Sequence, residues 1–298
     1  MVGDVEMEKK EIQKIPWDKS IWFFDIDDTL IDTGGTTEIA ADGVRKVFEA
    51  KFSEQKAKEI KANFIAIFNL MLVGHQATDP KKIKEHKKLL AKIESLQSDK
   101  TYVPKKWSRE IFVKLAAEEA GVEVSPELVH EAADAYWWDL GQKTEVFVGV
   151  KELIAEIKKH GRPIYLITGS DARLKMQTDG TFSYDPKYSE NLKRERIELL
   201  REKGIHFNLI STGDPEDKPH IDFFQKAIML AADDMGEPVD FENTIMVGDS
   251  YAGDLKVPLE LFGFGLGVLF NKNESDTQVT DSHQILTGDI SRVSDFLY

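Results

Sequence analysis

The sequence contains no cysteine among its 298 residues. This absence excludes disulfide bonds, a thiolate nucleophile and zinc sites built on cysteine. Long apolar runs are also missing, since the longest, at residues 258–270, is too short and too rich in glycine to span a bilayer. Residues 1–14 are charged and have no apolar centre, so they do not predict a signal peptide. We therefore expect a cytoplasmic protein without a membrane partner.

Positive charge is scarce as well. The chain has 39 lysine and arginine residues against 53 aspartate and glutamate residues, which gives a formal net charge of −14. Such a surface repels a phosphate backbone, so nucleic acid is not an expected partner. A small phosphorylated metabolite remains compatible with this charge, because its site needs only local positive charge. The hydrophobic fraction of 41% is sufficient for one large core or two smaller ones.

Five short runs of branched and aromatic residues predict β-strands. They lie at residues 21–26, 163–169, 207–212, 244–249 and 265–270. Their apolar residues are continuous rather than alternating, which is typical of parallel strands that are buried on both faces. Helical patterns separate the later runs, at residues 150–161, 190–204 (with Ser189 as a possible cap) and 219–236. This alternation predicts an α/β fold with a doubly wound, Rossmann-like parallel sheet of five main strands.

The region from residue 34 to residue 143 shows only helical signals. Asp79-Pro80 and Ser125-Pro126 are each typical of a helix start, and an apolar stripe follows the second pair. We expect an all-helical cap domain at 34–143, inserted into a catalytic core made of 18–33 and 144–298. Residues 1–17 form an N-terminal extension. Gly34-Gly35 and residues 143–149 are the expected hinges.

Polar residues follow the predicted strands. Asp25, Asp27 and Thr29 end the first run, Thr168 ends the second, and Lys218 comes just before a helix. The fourth run leads into Asp249 and Asp254. Ligands of parallel α/β sheets bind at the carboxyl ends of the strands, so these side chains should meet at one edge. Buried carboxylates need positive charge nearby, which we expect from Lys218 and from magnesium.

Four motifs in this order resemble those of the haloacid dehalogenase-like hydrolase superfamily. They are FFDIDDTL (23–30), LITGS (166–170), the lysine of DKPHIDFFQKA (217–227) and VGDSYAGD (247–254). The helical insert is similar to the cap that this family carries after the first strand. Two departures are visible: Pro258 should interrupt the helix after Asp254, and residues 178–189 should form an extra loop.

The resemblance implies a role for each residue at this edge. Asp25 would be the nucleophile that attacks phosphorus, and Asp27 would protonate the leaving oxygen and later activate water. Thr168, Gly169 and Lys218 would bind the phosphoryl oxygens, and Lys218 would also offset the charge that grows in the transition state.

The same resemblance implies a magnesium cofactor. Its ligands would come from Asp25, Asp27 (through the backbone carbonyl), Asp249 and Asp254, although Asp254 could instead orient Lys218. Members that remove halogen lack an acid at the position of Asp27, so phosphate-ester chemistry is favoured here. The sequence thus predicts a magnesium-dependent phosphatase that hydrolyses a small phosphomonoester through an aspartyl-phosphate on Asp25.

Three alternatives remain open at this point. A phosphotransferase or phosphomutase would use the same intermediate with a hydroxyl acceptor. A receiver phosphorylated on aspartate, or a binding module without activity, would belong to another class. His75 and Arg109 are candidate cap contacts with the substrate, but nothing in the sequence distinguishes them from other polar residues.

Overall fold

The fold is an α/β fold built on a seven-stranded, mostly parallel sheet. The computed structural model describes residue 12 and residues 14–74, 77–99, 101–169 and 171–298. Its strands are β1 Ile21–Phe24, β2 Ile164–Thr168, β3 Leu174–Met176, β4 Phe182–Tyr184, β5 Leu209–Thr212, β6 Thr244–Gly248, β7 Leu266–Phe270, β8 Gln278–Asp281 and β9 Gln284–Thr287.

The sheet order is β5-β2-β1-β6-β7-β9-β8, and all neighbours are parallel except β9 and β8. The five predicted strands are the first five in this order, so the doubly wound parallel sheet is confirmed. Strands β8 and β9 extend it beyond the prediction. Every residue of β8 is exposed, so the sequence carries no apolar signal there.

Eight α-helices accompany the strands in the described part of the chain. They are α1 Thr33–Glu49, α2 Glu54–Gly74, α3 Pro80–Ser95, α4 Arg109–Glu119, α5 Pro126–Lys143, α6 Val150–Lys159, α7 Pro186–Glu202 and α8 Ile221–Met235. The starts predicted at Asp79-Pro80 and Ser125-Pro126 are confirmed, because both cap side chains accept backbone hydrogen bonds.

The predicted start of α7 was wrong. Asp185, not Ser189, caps this helix, and its carboxylate accepts hydrogen bonds from the next turn while Pro186 occupies the first helical position. Ser189 is buried instead and accepts a hydrogen bond from the backbone N–H of Arg173 at 3.0 Å. The earlier start adds one turn to the N-terminal end of α7.

Alternate residues of the central strands face opposite sides of the sheet. Trp22 and Phe24 pack with α6 and α7 on one face, and Phe23 packs with α8 on the other. Ile15 pairs with Leu297, so the two ends of the described chain are joined beside the first of these cores. Helices on both faces explain why these strands show continuous apolar runs.

A third hydrophobic cluster lies outside the sheet and unites the helices between 34 and 143. The apolar stripe of α5 is buried in it, and the described residues of this region contain no strand. The predicted loop at 178–189 was wrong, because β4 lies within it and pairs with the preceding β3 as an antiparallel hairpin, and α7 begins at Pro186. Phe182 of this hairpin is fully buried in the helical cluster. The domain boundaries at 34 and 143 stay a prediction. The β3–β4 hairpin lies outside these boundaries in the sequence but packs on the helices between them.

The predicted interruption at Pro258 was also wrong. Helical backbone continues through it as two wide π-helical segments, Tyr251–Leu255 and Pro258–Phe262. Pro258 is the first residue of the second segment, where the helix widens to a π-helical turn around a residue that has no N–H to donate. None of the described helices is both long and apolar enough to cross a bilayer.

Helices α1 and α5 approach closely at Gly43, and this contact can be tested. A Cβ atom added at Gly43 would lie 2.5 Å from the Ala135 carbonyl oxygen. We expect Gly43→Ala to lower the free energy of unfolding by about 1–3 kcal/mol, because overpacking outweighs the better helix propensity of alanine. Urea denaturation measures the effect, with the exposed Glu38→Ala on the same helix as control. A Gly43→Ala protein as stable as the wild type would contradict this packing.

Candidate active site

The strand ends meet at one cavity of about 1100 Å³ between the sheet edge and the helical region. All seven predicted site residues line it, namely Asp25, Asp27, Thr168, Gly169, Lys218, Asp249 and Asp254. Asp25 follows β1, Thr168 ends β2 and Asp249 follows β6, which are adjacent parallel strands. The topology therefore brings residues more than two hundred positions apart to one place, and their chemical roles remain predictions.

Lys218 is bonded to two carboxylates at the centre of this group. Its ammonium donates to Asp25 Oδ1 and, at 2.6 Å, to Asp254 Oδ1. All three side chains are at least 90% buried. Burial alone would lower the pKa of Lys218, but the two carboxylates raise it overall, so the ammonium stays charged.

Asp25 is held in one orientation from several sides. Its backbone N–H bonds to the Val247 carbonyl at 2.8 Å, and Thr29 Oγ1 donates to its Oδ2 at 3.1 Å. Burial raises the pKa of Asp25, Lys218 opposes this shift, and the like charge of Asp254 adds to it. The carboxylate needs further positive charge to remain ionised.

A divalent cation fits this need. Asp25, Asp249 and Asp254 each offer a carboxylate oxygen, and these oxygens all lie within 4.8 Å of one another. Burial, followed by the charges of Asp254 and Asp28, raises the pKa of Asp249 to about 6. Magnesium prefers hard oxygen ligands such as these carboxylates. Its positive charge would also offset their mutual repulsion. The carboxylate of Asp27 lies outside this set of three.

Asp27 is bound instead to Arg196, a residue that the sequence analysis did not identify. Arg196 Nη1 and Nη2 donate to the two Asp27 oxygens at 3.0 and 2.9 Å, and Thr33 Oγ1 donates to Oδ1 at 2.7 Å. Burial would raise the pKa of Asp27, but Arg196, together with Thr33 and Lys218, lowers it overall. Arg196 is one of three arginines on α7, 169 positions from Asp27. No feature of the neighbouring sequence distinguishes Arg196 from the other two arginines.

The two other acids of this segment cap helix α1. Asp28, at a φ of 60°, accepts a hydrogen bond from Gly34 N at 2.8 Å, and Asp32 accepts one from Gly35 N at 3.1 Å. The glycines predicted as a hinge thus lie in the first turn of α1. Carboxylates at a helix N-terminus are stabilised by its free N–H groups, so two of the four acids between 25 and 32 have a structural role.

The side chain of Asp217 holds the backbone at Lys218. Its Oδ1 accepts a hydrogen bond from Lys218 N at 2.7 Å, and a Cβ atom at Gly169 or Gly213 would collide with this carboxylate. Because neither glycine has a side chain, there is room for the Asp217 carboxylate between them. Burial raises the pKa of Asp217 to about 6, against the pull of Lys193 and Lys218. Of the two candidate cap contacts, Arg109 lines the cavity, and His75 lies outside the described residues.

The fold and the site together define an α/β protein whose acidic strand ends and buried lysine surround one ligand cavity. The profile of the haloacid dehalogenase-like hydrolases matches residues 21–257, well over half of the sequence. The chain belongs to this family, and the predicted resemblance is confirmed. A comparison with curated proteins finds no match.

Solved structures with the same fold include three proteins of low sequence identity. One, from Bacillus subtilis and bound to magnesium, is 15% identical, with a TM-score of 0.52 and coverage of 93% of this chain and 97% of that chain. The 2-haloacid dehalogenase of Pseudomonas syringae pv. Tomato is 16% identical, with the same score and coverage. A Thermotoga maritima protein described as a β-phosphoglucomutase is 14% identical, with a score of 0.51 and coverage of 93% and 98%. At these identities the likeness shows the fold alone.

The raised pKa of Asp217 predicts a pH dependence of stability. Its folded-state pKa of about 6 lies above the unfolded value of about 3.9, so its contribution is fully present below about pH 4 and is lost as the pH rises through about 6. Asp217→Asn keeps the acceptor oxygen without the charge. With chelator present, the variant should gain on the order of 1–2 kcal/mol over the wild type between pH 4 and pH 7.5, after allowance for partial exposure.

Urea denaturation at the two pH values measures this gain. Asp233→Asn, an exposed carboxylate on α8, is the matched control and should track the wild type. A stability difference between Asp217→Asn and the wild type that is constant with pH would contradict the assignment.

Proposed function

We propose that this hydrolase is a magnesium-dependent phosphatase acting on a small phosphomonoester. The observation that carries the proposal is the Lys218 ammonium bonded to Asp25 and Asp254, two of the three carboxylates of the cluster. A buried lysine and a divalent cation next to a carboxylate nucleophile are suited to a group that brings negative charge of its own, as a phosphoryl group does.

Asp25 would attack the phosphorus atom and form the aspartyl-phosphate. Thr29 and the backbone bond to Val247 hold Asp25, which lines the cavity. Thr168, Gly169 and Lys218 line the same cavity and would bind the phosphoryl oxygens. As negative charge develops on those oxygens, the Lys218 ammonium would donate more strongly to them and less strongly to Asp25.

Asp25, Asp249 and Asp254 are the residues that would hold magnesium. The bound ion would supply the positive charge that keeps Asp25 ionised and would lower the repulsion between its carboxylate and the phosphoryl oxygens. Asp254 would at the same time keep Lys218 in place through its other contacts, since its Oδ2 is fixed by Ser250 N at 2.9 Å.

Asp27 has two tasks in this reaction, and Arg196 favours one of them. As general base in the second step it must be a carboxylate, which is the form that Arg196 stabilises. As general acid in the first step it must carry a proton, so its bidentate pair with Arg196 would have to open. The presence of an acid at this position favours phosphate chemistry over the removal of halogen.

The first test of the proposal is phosphate release from a panel of phosphorylated metabolites and nitrophenyl phosphate with magnesium. We expect turnover that disappears after exhaustive chelation and returns with magnesium. Asp249→Ala should raise the magnesium concentration for half-maximal activity, because one of three ligands is removed. Full activity in chelator would refute the metal requirement. Analysis of the products separates hydrolysis from transfer of the phosphoryl group to a hydroxyl acceptor.

The second test separates Asp25 from Asp27. Asp25→Asn should abolish turnover of every substrate, because no acyl phosphate can form. Asp27→Asn should lose roughly 10²–10⁴-fold with an alkyl phosphate, whose basic leaving oxygen needs a proton. With nitrophenyl phosphate, which has a good leaving group, this variant should release a burst of nitrophenol and then stall with phosphate on Asp25.

Rapid-quench kinetics detects the burst, and mass spectrometry detects the phosphorylated Asp25. If Asp27→Asn slowed alkyl and aryl substrates equally and gave no burst, Asp27 would not be the acid–base residue.

A further inference from the structure

Lys218 lies in a loop rather than in a helix or strand. Residues 213–219, which we call the Lys218 loop, lie between β5 and α8, and all but one of them line the cavity. A backbone bond from Gly213 N to Thr168 O at 2.9 Å ties the start of this loop to the sheet. The position of the Lys218 ammonium therefore also depends on what holds the middle of the loop.

Lys105, between α3 and α4, binds the Lys218 loop. Its ammonium donates a hydrogen bond to the carbonyl oxygen of Pro215, although the two residues are 110 positions apart. The same ammonium lies 4.6 Å from the centre of the Tyr184 ring. A side chain of the helical region thus binds the loop shortly before Lys218.

The backbone of Lys105 is fixed in turn by a buried glutamine. Gln97, which is 5% exposed, accepts a hydrogen bond from Lys105 N at 2.7 Å and donates one from Nε2 to Lys105 O at 2.9 Å. Nε2 of Gln97 also donates to the carbonyl oxygen of Ile93 in α3 at 3.2 Å. Lys105 therefore starts from an anchored backbone, and its bond to Pro215 links the end of α3 to the Lys218 loop.

A second side chain binds the loop at the neighbouring residue. The hydroxyl of Tyr184 in β4 donates to Asp214 Oδ1 at 2.7 Å, and Lys193 Nζ of α7 lies 2.8 Å from Asp214 Oδ2. Asp214 is 3% exposed, so its carboxylate is a buried anchor for the loop. Tyr184 belongs to the hydrophobic cluster of the helical region. Lys105 and Tyr184 thus hold adjacent residues of the loop from the side of the helices.

The Lys218 ammonium is useful in one narrow place. It must reach Asp25 and Asp254 together, and its distance to Asp254 Oδ1 is 2.6 Å. A misplacement of about 1 Å, even when it is caused far from the reacting atoms, can lower a reaction rate by about 100-fold. Bonds that hold the loop therefore act on the reaction without touching the substrate.

We infer that Lys105 and Tyr184 are positioning residues for Lys218. Through their bonds to adjacent residues of the loop, they couple the helical region to the ammonium that binds Asp25. The effect on turnover rests on the proposed phosphatase function, whereas the hold on the loop does not. The helical region then contributes to the turnover of every substrate, including one that is too small to touch it.

The variant Lys105→Met with nitrophenyl phosphate, a small substrate with a good leaving group, is the first test. With saturating magnesium we expect kcat to fall by about 10–100-fold and KM to change much less, because the contact acts through Lys218 and not on the substrate. Lys105→Arg keeps a donor for Pro215 and should recover most of the loss. Lys92→Met breaks an ion pair with Glu118 outside the cavity lining, and this control should equal the wild type.

Two kinetic results would overturn the inference. One is an unchanged kcat in a folded Lys105→Met protein, and the other is a raised KM at unchanged kcat, which would make Lys105 a direct contact of the substrate. Tyr184→Phe removes only the hydroxyl and should lower kcat by about tenfold, the scale of one hydrogen bond. If Lys105→Met does not fold, Tyr184→Phe decides, and an unchanged kcat in that variant would overturn the inference.

Hydrogen exchange measures the hold on the loop in the absence of any reaction. In the protein free of metal and substrate, Lys105→Met should speed the exchange of the backbone amides of residues 213–218 by about tenfold, because one bond that orders the loop is lost. The amides of α6 are the internal control and should exchange as in the wild type. Equal acceleration in α6 and in the loop would indicate general destabilisation and would count against the inference.

Exchange and turnover together separate the two proposals. If no phosphate ester is hydrolysed but exchange of the loop rises, the positioning stands and the phosphatase function falls. If nitrophenyl phosphate is hydrolysed and Lys105→Met alters neither exchange nor kcat, only the positioning is refuted. Faster exchange with unchanged kcat also refutes it, because the loop would then be held without effect on Lys218.

Discussion

The bond of one lysine to two carboxylates determines how the rest of this site is built. Asp25, Asp249 and Asp254 have oxygens within 4.8 Å of one another, a separation at which two charges repel by roughly 3–4 kcal/mol at an effective dielectric constant of about 20. One ammonium cannot balance three carboxylates, so the site has a deficit of positive charge. Its neighbours keep Lys218 in place: Asp217 holds its backbone, and Gly169 and Gly213 leave room for Asp217.

The same constraint explains how the acids of residues 25–32 are distributed. Only Asp25 joins the carboxylate cluster. Asp27 is turned to Arg196, and Asp28 and Asp32 accept hydrogen bonds from the first turn of α1. Each acid therefore has its own donors, because a single buried place could not hold four like charges. In the folded protein each acid of this run has its own partner, which is either a positively charged side chain or a backbone N–H group.

Prediction from sequence succeeded where a local signal is strong, and it failed where that signal is weak or was overlooked and where a residue's role depends on a distant partner. The five central strands were predictable because burial on both faces leaves continuous apolar runs, and the site residues because they follow those strands. Strand β8 is exposed along its length, and the cap at Asp185 was passed over for Ser189. Arg196 could not be selected from three arginines on α7, since its role depends on Asp27, 169 positions away. Arg109 was a candidate without support until the fold surrounded it with aromatic rings.

The two ends of the cavity differ in their balance of charge, and this difference orients a ligand. At the strand ends the charge of Asp25, Asp249 and Asp254 exceeds that of the single ammonium, so a cation fits there. At the helical wall Arg109 and Asp171 form a buried ion pair, so positive and negative charge are balanced there. A ligand with a charged group at one end and neutral polar groups at the other matches both in one orientation only. The reverse orientation would place the anionic group of such a ligand against Asp171 instead of beside Lys218 and a cation, so electrostatics favours one orientation.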